Sequence, residues 1–194
     1  MFDKNLVAKS IFQKCHLNGE FVLRSGRIAT EYFDKYQISS DAALLDVITR
    51  EMAKYIPDGT EVLAGLEMGA IPIVTMLSHH TGIPAAFVRK IAKKHGTAKL
   101  AEGADIRGKR VLVVEDIVTS GGQIILSTSD MRDLGAIVDS AIIVIDREEG
   151  GREALKESGI NLISLFQKCD FKGLWYNNCN SKKDLLVCQN NNMI

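Results

Sequence analysis

The sequence predicts an α/β protein built on a parallel sheet flanked by helices. Three observations carry this. Apolar runs and helical patterns alternate from about residue 60 to residue 166, the order that right-handed strand–helix–strand crossovers produce. Val111–Val114 and Ile142–Ile145 are apolar without alternation, as strands covered on both faces must be. Two of the runs pass straight into glycine-bearing turns that open helices, around residues 65–72 and 119–122.

Bulk composition narrows the function. A chain of 194 residues supports one well-buried core rather than two independent domains. Hydrophobic residues make up 46% and charged residues 25%, the balance of a soluble globular protein. The formal net charge is zero, which argues against a broad nucleic-acid or anionic-membrane surface. Met1-Phe2-Asp3-Lys4-Asn5 has no basic segment leading into an apolar one, so no secretory signal is read. No apolar run reaches the roughly 18 residues needed to span a bilayer. Cys15, Cys169, Cys179 and Cys188 form no Cys-x-x-Cys pair. Reduced thiols and a cytoplasmic location are the expectation.

In chain order, Asp3 caps a first helix whose apolar face is Leu6, Val7, Ile11 and Phe12. Residues 19–34 read as two short extended pieces around a Ser25-Gly26 turn. Ser39, Ser40 or Asp41 caps the next helix, with Ala43, Leu44, Val47, Ile48 and Met52 turned inward. Pro57-Asp58-Gly59 is a turn. Residues 61–65 form a strand, and a glycine loop follows, with Pro72 in the first turn of a helix. His79 and His80 close that helix and suit its negative end as structural residues. Residues 83–88 are the next strand.

Residues 89–99 carry five Lys or Arg and one His in eleven positions. Such a run is ordinarily a solvated surface loop. Beside a phosphate site it has another use, to close over the bound anion and neutralise its charge. Residues 103–108 are a polar connection. Arg110–Val114 then runs into Glu115 and Asp116, and Thr119-Ser120-Gly121-Gly122 follows. Ile124, Ile125, Ser127, Thr128, Met131 and Leu134 have helical spacing, and Gly135 stops the helix. A strand over 137–145, a helix over 152–158 and a last strand over 161–166 complete the pattern. The tail from Cys169 is polar, Asn-rich and weakly patterned.

The organising stretch is 110–123. Its loop joins the C-terminal end of a central strand to a helix start, the place where open α/β sheets bind ligands. Glycines let the backbone approach closely, and free amides at the helix start attract an anion, most simply a phosphate. Two acids cannot serve that phosphate. They suit the hydroxyls of a sugar that carries it, or a metal held near it.

Val111–Gly122 resembles the phosphoribosyl-diphosphate signature of type I phosphoribosyltransferases: four apolar residues, two acids, two apolar residues, small hydroxyl residues and glycine. Gln123 stands where that family usually has a small residue. Three further segments resemble the orotate phosphoribosyltransferases among them. Phe21, Leu23, Arg24, Ser25, Gly26, Tyr32 and Phe33 match a hood segment, with Arg24 in place of the usual Lys. Phe33 is open to two readings, a ring stacked on the base or a core side chain. Arg89, Lys90, Lys93, His95 and Gly96 match the mobile basic loop. Asp146-Arg147-x-Glu149-x-Gly151 matches the orotate-binding segment, where the planar guanidinium of Arg147 suits a carboxylate.

The resemblance implies the type I phosphoribosyltransferase fold, a Rossmann-like parallel sheet with a small N-terminal hood. It implies one domain over 1–194, the hood being mainly 1–40 with part of the C-terminal region and the core about 41–166. The implied reaction moves the phosphoribosyl group of 5-phosphoribosyl 1-diphosphate to orotate, giving orotidine 5′-monophosphate and diphosphate. Lys93, His95 and Asp116 are the implied catalytic residues. Arg24, Phe33, Arg89, Lys90, Lys93, His95, Glu115, Asp116, Ile117, Val118, Thr119, Ser120, Gly121, Gly122, Gln123 and Arg147 are the implied substrate contacts. Mg²⁺ is the implied cofactor, held through substrate oxygens and water rather than by protein ligands. The implied assembly is a homodimer in which loop 89–99 serves the neighbouring subunit. The family lysine of the diphosphate loop has no counterpart near Met68 and Gly69. The alternatives are a purine phosphoribosyltransferase, which would leave Arg147 without a carboxylate, and a regulator that senses phosphoribosyl diphosphate without chemistry.

Overall fold

The computed structural model describes residues 2–22, 26, 28–91, 99–171, 173 and 174. Arg24, Lys93 and His95, the Leu23–Ser25 stretch, the middle of the basic loop and the tail beyond Leu174 lie outside the described residues.

A six-stranded sheet forms the centre, in the order β5-β4-β3-β6-β7-β8. Its strands are β3 Val62–Leu66, β4 Ala85–Val88, β5 Ala101–Gly103, β6 Arg110–Val118, β7 Ile137–Asp146 and β8 Asn161–Gln167. All neighbours pair in parallel except β4 and β5, which are antiparallel. The expected parallel sheet therefore carries one antiparallel edge. Three residues are too few to show a period, so this strand is not legible in the sequence, where residues 103–108 read as a connection.

The chain leaves β3 toward β4 and β5, then returns to the other side of β3 to lay down β6, β7 and β8. The direction of winding thus reverses between β3 and β6. The two strand ends followed by glycine loops meet at that switch point, where crossover connections diverge and leave a crevice.

Helices cover both faces. Helix α1 (Lys4–Cys15), α3 (Ala42–Ala53) and α4 (Ile71–Thr81) pack with Leu63, Leu112 and Val114 in one core. Helix α5 (Gly122–Asp133) and α6 (Gly151–Glu157) place Ile124, Met131 and Leu155 with Val111 and Val113 in the other. The Asp3 carboxylate caps α1 through the amides of Asn5 and Leu6, and Asp41 caps α3 through that of Leu44. Pro72 lies in the first turn of α4, and Gly82 closes it at φ +73°. Imidazole Nε2 of His80 lies 3.2 Å from the Thr49 hydroxyl and 3.3 Å from Asp46, a structural placement.

Three inward assignments are corrected. Leu6 is 63% exposed, and Ala43 and Val47 on α3 face solvent. The buried stripe of α1 is Val7, Ala8, Ile11, Phe12 and Cys15. At about 100° per residue Leu6 falls opposite its centre. On α3 the stripe runs through Leu44, Leu45, Ile48 and Met52, one step round from the expected face. Leu134 is also exposed, because α5 ends at Asp133 and Leu134 is its C-cap.

Strands β1 (His16–Val22) and β2 (Ile28–Phe33) form a separate antiparallel hairpin. A five-residue helix, α2 (Tyr36–Ser40), follows and buries Ile38. It is too short for its period to be legible. Among the described residues no helix is long and apolar enough to cross a membrane.

Candidate active site

Parallel pairing brings the C-terminal ends of β3, β6 and β7 side by side, with Gly65 opposite Val114 and Val118 opposite Asp146. The loops after these strands form one crevice. The Arg147 amide donates to the Val118 carbonyl at 2.9 Å and locks two of them together.

After β6, Thr119 and Ser120 are exposed, and Gly121 turns the chain at φ +77°. Helix α5 starts at Gly122 with no side-chain cap. Its first amides therefore lack the usual side-chain acceptor and can receive an anion. Gly151 supports this turn from below. A Cβ there would stand 2.5 Å from Val118 Cγ1 and closer still to the Thr119 carbonyl. Ile117 and Val118 are core side chains and can offer a ligand only backbone. The Gln123 side chain donates to Ser127 Oγ at 3.0 Å and runs along the helix, so this residue contributes its amide.

Glu115 and Asp116 lie within β6. Asp116 is in phase with Leu112 and Val114, and Glu115 with Val111 and Val113. Asp116 is 3% exposed. Its Oδ1 accepts from the Ile117 amide at 2.6 Å and from Lys35 Nζ at 3.0 Å. Its Oδ2 is 2.9 Å from the same ammonium but receives no directed hydrogen bond. The loop after β3 presses on this carboxylate, so closely that a Cβ on Gly69 would stand 2.6 Å from Asp116 Cγ and nearer still to Oδ2. Only glycine fits there. The glycine loop and the acid pair are thus one site.

Glu115 is pushed up to about 9, by burial first and then by the hydrogen bond and charge of Asp116, so it holds its proton at neutral pH. Burial opposes the charge of Lys35, but the charge and hydrogen bond of Asp116, and then Glu115, outweigh it and raise its pKa.

Glu67, on the glycine loop, accepts from the Lys90 amide at 2.7 Å and faces Arg89 Nη1 at 4.0 Å. This ties the base of the 89–99 loop to the crevice. On the other side, Asp146 is 1% exposed. Its Oδ1 accepts from the Glu148 amide at 2.9 Å, and its Oδ2 pairs with Arg152 Nη2 at 3.0 Å. Arg152 also donates to the Leu162 carbonyl and Ser164 Oγ. This network fixes the turn that carries Arg147, whose Nε lies 3.0 Å from Glu149 Oε1.

A phosphoribosyl transferase domain model matches residues 24–168. An orotate phosphoribosyltransferase of Nocardioides sp. is 46% identical over 164 residues, spanning 84% of this chain and 92% of that one. The chain belongs to the orotate phosphoribosyltransferase family. The Mycobacterium tuberculosis H37Rv orotate phosphoribosyltransferase, solved with Fe(III) dicitrate, superposes with a TM-score of 0.79 at 33% identity. That match covers 87% of this chain and 98% of the mycobacterial one. The same mycobacterial enzyme solved with 5-phospho-α-D-ribosyl 1-diphosphate gives a TM-score of 0.75 at 29% identity, over 88% and 99% of the two chains.

Within this family site, the structure gathers Glu115–Gln123 and Arg147 at the switch point, with Arg89 and Lys90 one strand away. Phe33 ends β2 and packs partly buried against the first core. Lys35, Glu67 and Arg152 escaped the sequence reading as parts of the site, and Asp146 entered it only as part of the segment around Arg147. Nothing local marks Lys35, since its partner lies 81 residues away. Asp146 did carry a signal, being the acid before Arg147.

Proposed function

We propose that this chain transfers the 5-phosphoribosyl group of 5-phosphoribosyl 1-diphosphate to orotate, giving orotidine 5′-monophosphate and diphosphate. The carrying observation is the buried Asp116 carboxylate, pressed on Gly69 and set beside an uncapped helix start. Family membership and the mycobacterial complex support the same reading.

In this mechanism Thr119–Gly122 and the amide of Gln123 hold the 5′-phosphate. Glu115 and Asp116 hold the ribose hydroxyls, close to where positive charge gathers as the anomeric bond breaks. The loop after β3 receives the diphosphate through its amides. Arg147 pairs with the orotate carboxylate and aims the ring nitrogen at the anomeric carbon. Phe33 and Arg24 bound the base on the hood side. Arg89, Lys90, Lys93 and His95 stabilise or protonate the departing diphosphate from loop 89–99, reaching across a homodimer in the cytoplasm. The Asp116 Oδ2 atom, buried without a directed donor, fits a hydrated Mg²⁺ as an acceptor for its water. When bound there, that ion would supply charge neutralisation on the diphosphate.

The test is the forward assay, following loss of orotate absorbance with phosphoribosyl diphosphate and Mg²⁺ and omitting each in turn. Adenine, hypoxanthine and xanthine serve as competing acceptors. Turnover of a purine and not of orotate refutes the acceptor, and full turnover in chelator refutes the cofactor.

A further inference from the structure

The sugar site is not built from the sheet alone. Lys35 follows β2 and precedes α2, so it belongs to the junction of hairpin and core. Its ammonium lies 3.0 and 2.9 Å from the two oxygens of Asp116. The second of these oxygens is the atom that presses on Gly69. One carboxylate oxygen thus touches both the lysine and the loop that follows β3, so the ammonium stands at the border between the sugar acids and that loop.

Charge makes this position significant. A polyanion that enters beside a buried carboxylate is repelled unless a cation lies between them. The cation that the described residues set on Asp116 is Lys35. It is not locked in place, since its side chain is 37% exposed and stands on a flexible four-carbon stem. Among the described residues, the Tyr36 ring also lies near it, 5.6 Å away.

We propose that Lys35 is a diphosphate-binding residue. With no substrate it holds Asp116 against Gly69. When ribose hydroxyls take its place on Asp116, its ammonium turns to the diphosphate at the Gly69 loop. This rests on the reading of Asp116 as the ribose acid. Phe33 lies two residues earlier, so the same short segment joins the base side of the crevice to the diphosphate side.

The experiment compares wild type with Lys35→Met, Lys35→Gln and Lys35→Arg, with thermal melting to confirm folding. Binding of inorganic diphosphate and of ribose 5-phosphate is measured by calorimetry in Mg²⁺ buffer, and KM for both substrates by the forward assay. Lys35→Met is expected to weaken diphosphate and raise the phosphoribosyl diphosphate KM by about tenfold to a hundredfold, the range of one charge-assisted bond. Ribose 5-phosphate affinity and the orotate KM should move by less than about threefold, and Lys35→Arg should recover most of the loss. Lys35→Gln keeps the stem and stands in if the Met variant fails to fold. Equal weakening of both ligands, or of neither, overturns the proposal. Asp116→Asn separates the premise. If it binds ribose 5-phosphate like wild type, the ribose reading fails. If it loses that ligand while Lys35→Met keeps diphosphate, only the role of Lys35 fails.

Discussion

Gly69→Ala isolates the contact that joins the two halves of the site. Gly69 does not use the left-handed backbone region, so alanine brings no backbone strain. Its methyl group would stand 2.6 Å from Asp116 Cγ and 3.3 Å from Oδ1, with Oδ2 nearer than either, against an ordinary contact of 3.4 Å or more. The carboxylate must move by more than about 1 Å. Moving it strains the Ile117 amide bond of 2.6 Å and the Lys35 pair. Overpacking of this kind costs about 1–3 kcal/mol, a fall of roughly 2–12 °C in melting temperature for a chain of this size. Activity should suffer more, because a displacement of about 1 Å in a positioning group costs on the order of a hundredfold. The assay is kcat/KM for phosphoribosyl diphosphate, with Gly65→Ala as control. A Cβ at Gly65 would meet Val74 Cβ at 2.8 Å and Cγ1 more closely, which is overpacking against α4. The control should melt early yet lose less kcat/KM per folded molecule than Gly69→Ala. Should Gly69→Ala retain kcat/KM within about threefold of wild type, the claim that Asp116 and the glycine loop form one site is wrong.

Three further outcomes are expected. Glu115 has its folded pKa raised from 4.5 to about 9, so its contribution to stability is full below about pH 4.5 and is lost as pH rises toward 9. Glu115→Gln removes that loss, and its stability advantage over wild type should grow by up to about 4 kcal/mol between about pH 5 and pH 8; equal denaturant midpoints at both pH values would sink this. Asp146→Ala releases the turn held by Glu148 N and Arg152. It should cost about 1–3 kcal/mol in urea unfolding and raise the orotate KM by about tenfold while sparing the phosphoribosyl diphosphate KM; the reverse pattern would refute a role in setting Arg147. The Cys15 thiol is pushed up to about 12, by burial first and then by Asp34. Native alkylation near pH 8 should therefore label the exposed Cys169 and leave Cys15 intact by mass mapping, whereas rapid labelling of Cys15 would show that α1 is not packed as described.

Whatever depends on near neighbours could be read along the chain. Asp3 and Asp41 cap helices because a cap bonds amides two or three residues on. The strand, glycine turn and helix over 110–135 were legible because four features in fixed order leave one local conformation. The anion cradle was legible with them, since its amides belong to that turn. The arc of burial was less legible, as Leu6, Val47 and Leu134 show: apolar type tells which residues prefer the core, but the neighbouring element selects which arc of a helix is covered. Tertiary structure alone decided the rest. Sheet order put the reversal between β3 and β6 and so brought Gly69 onto Asp116. The return of the hairpin to the core set Lys35 on the same carboxylate, 81 residues away in the chain. Such contacts leave no periodic trace, because they depend on where the whole backbone closes and not on the spacing of residues along it.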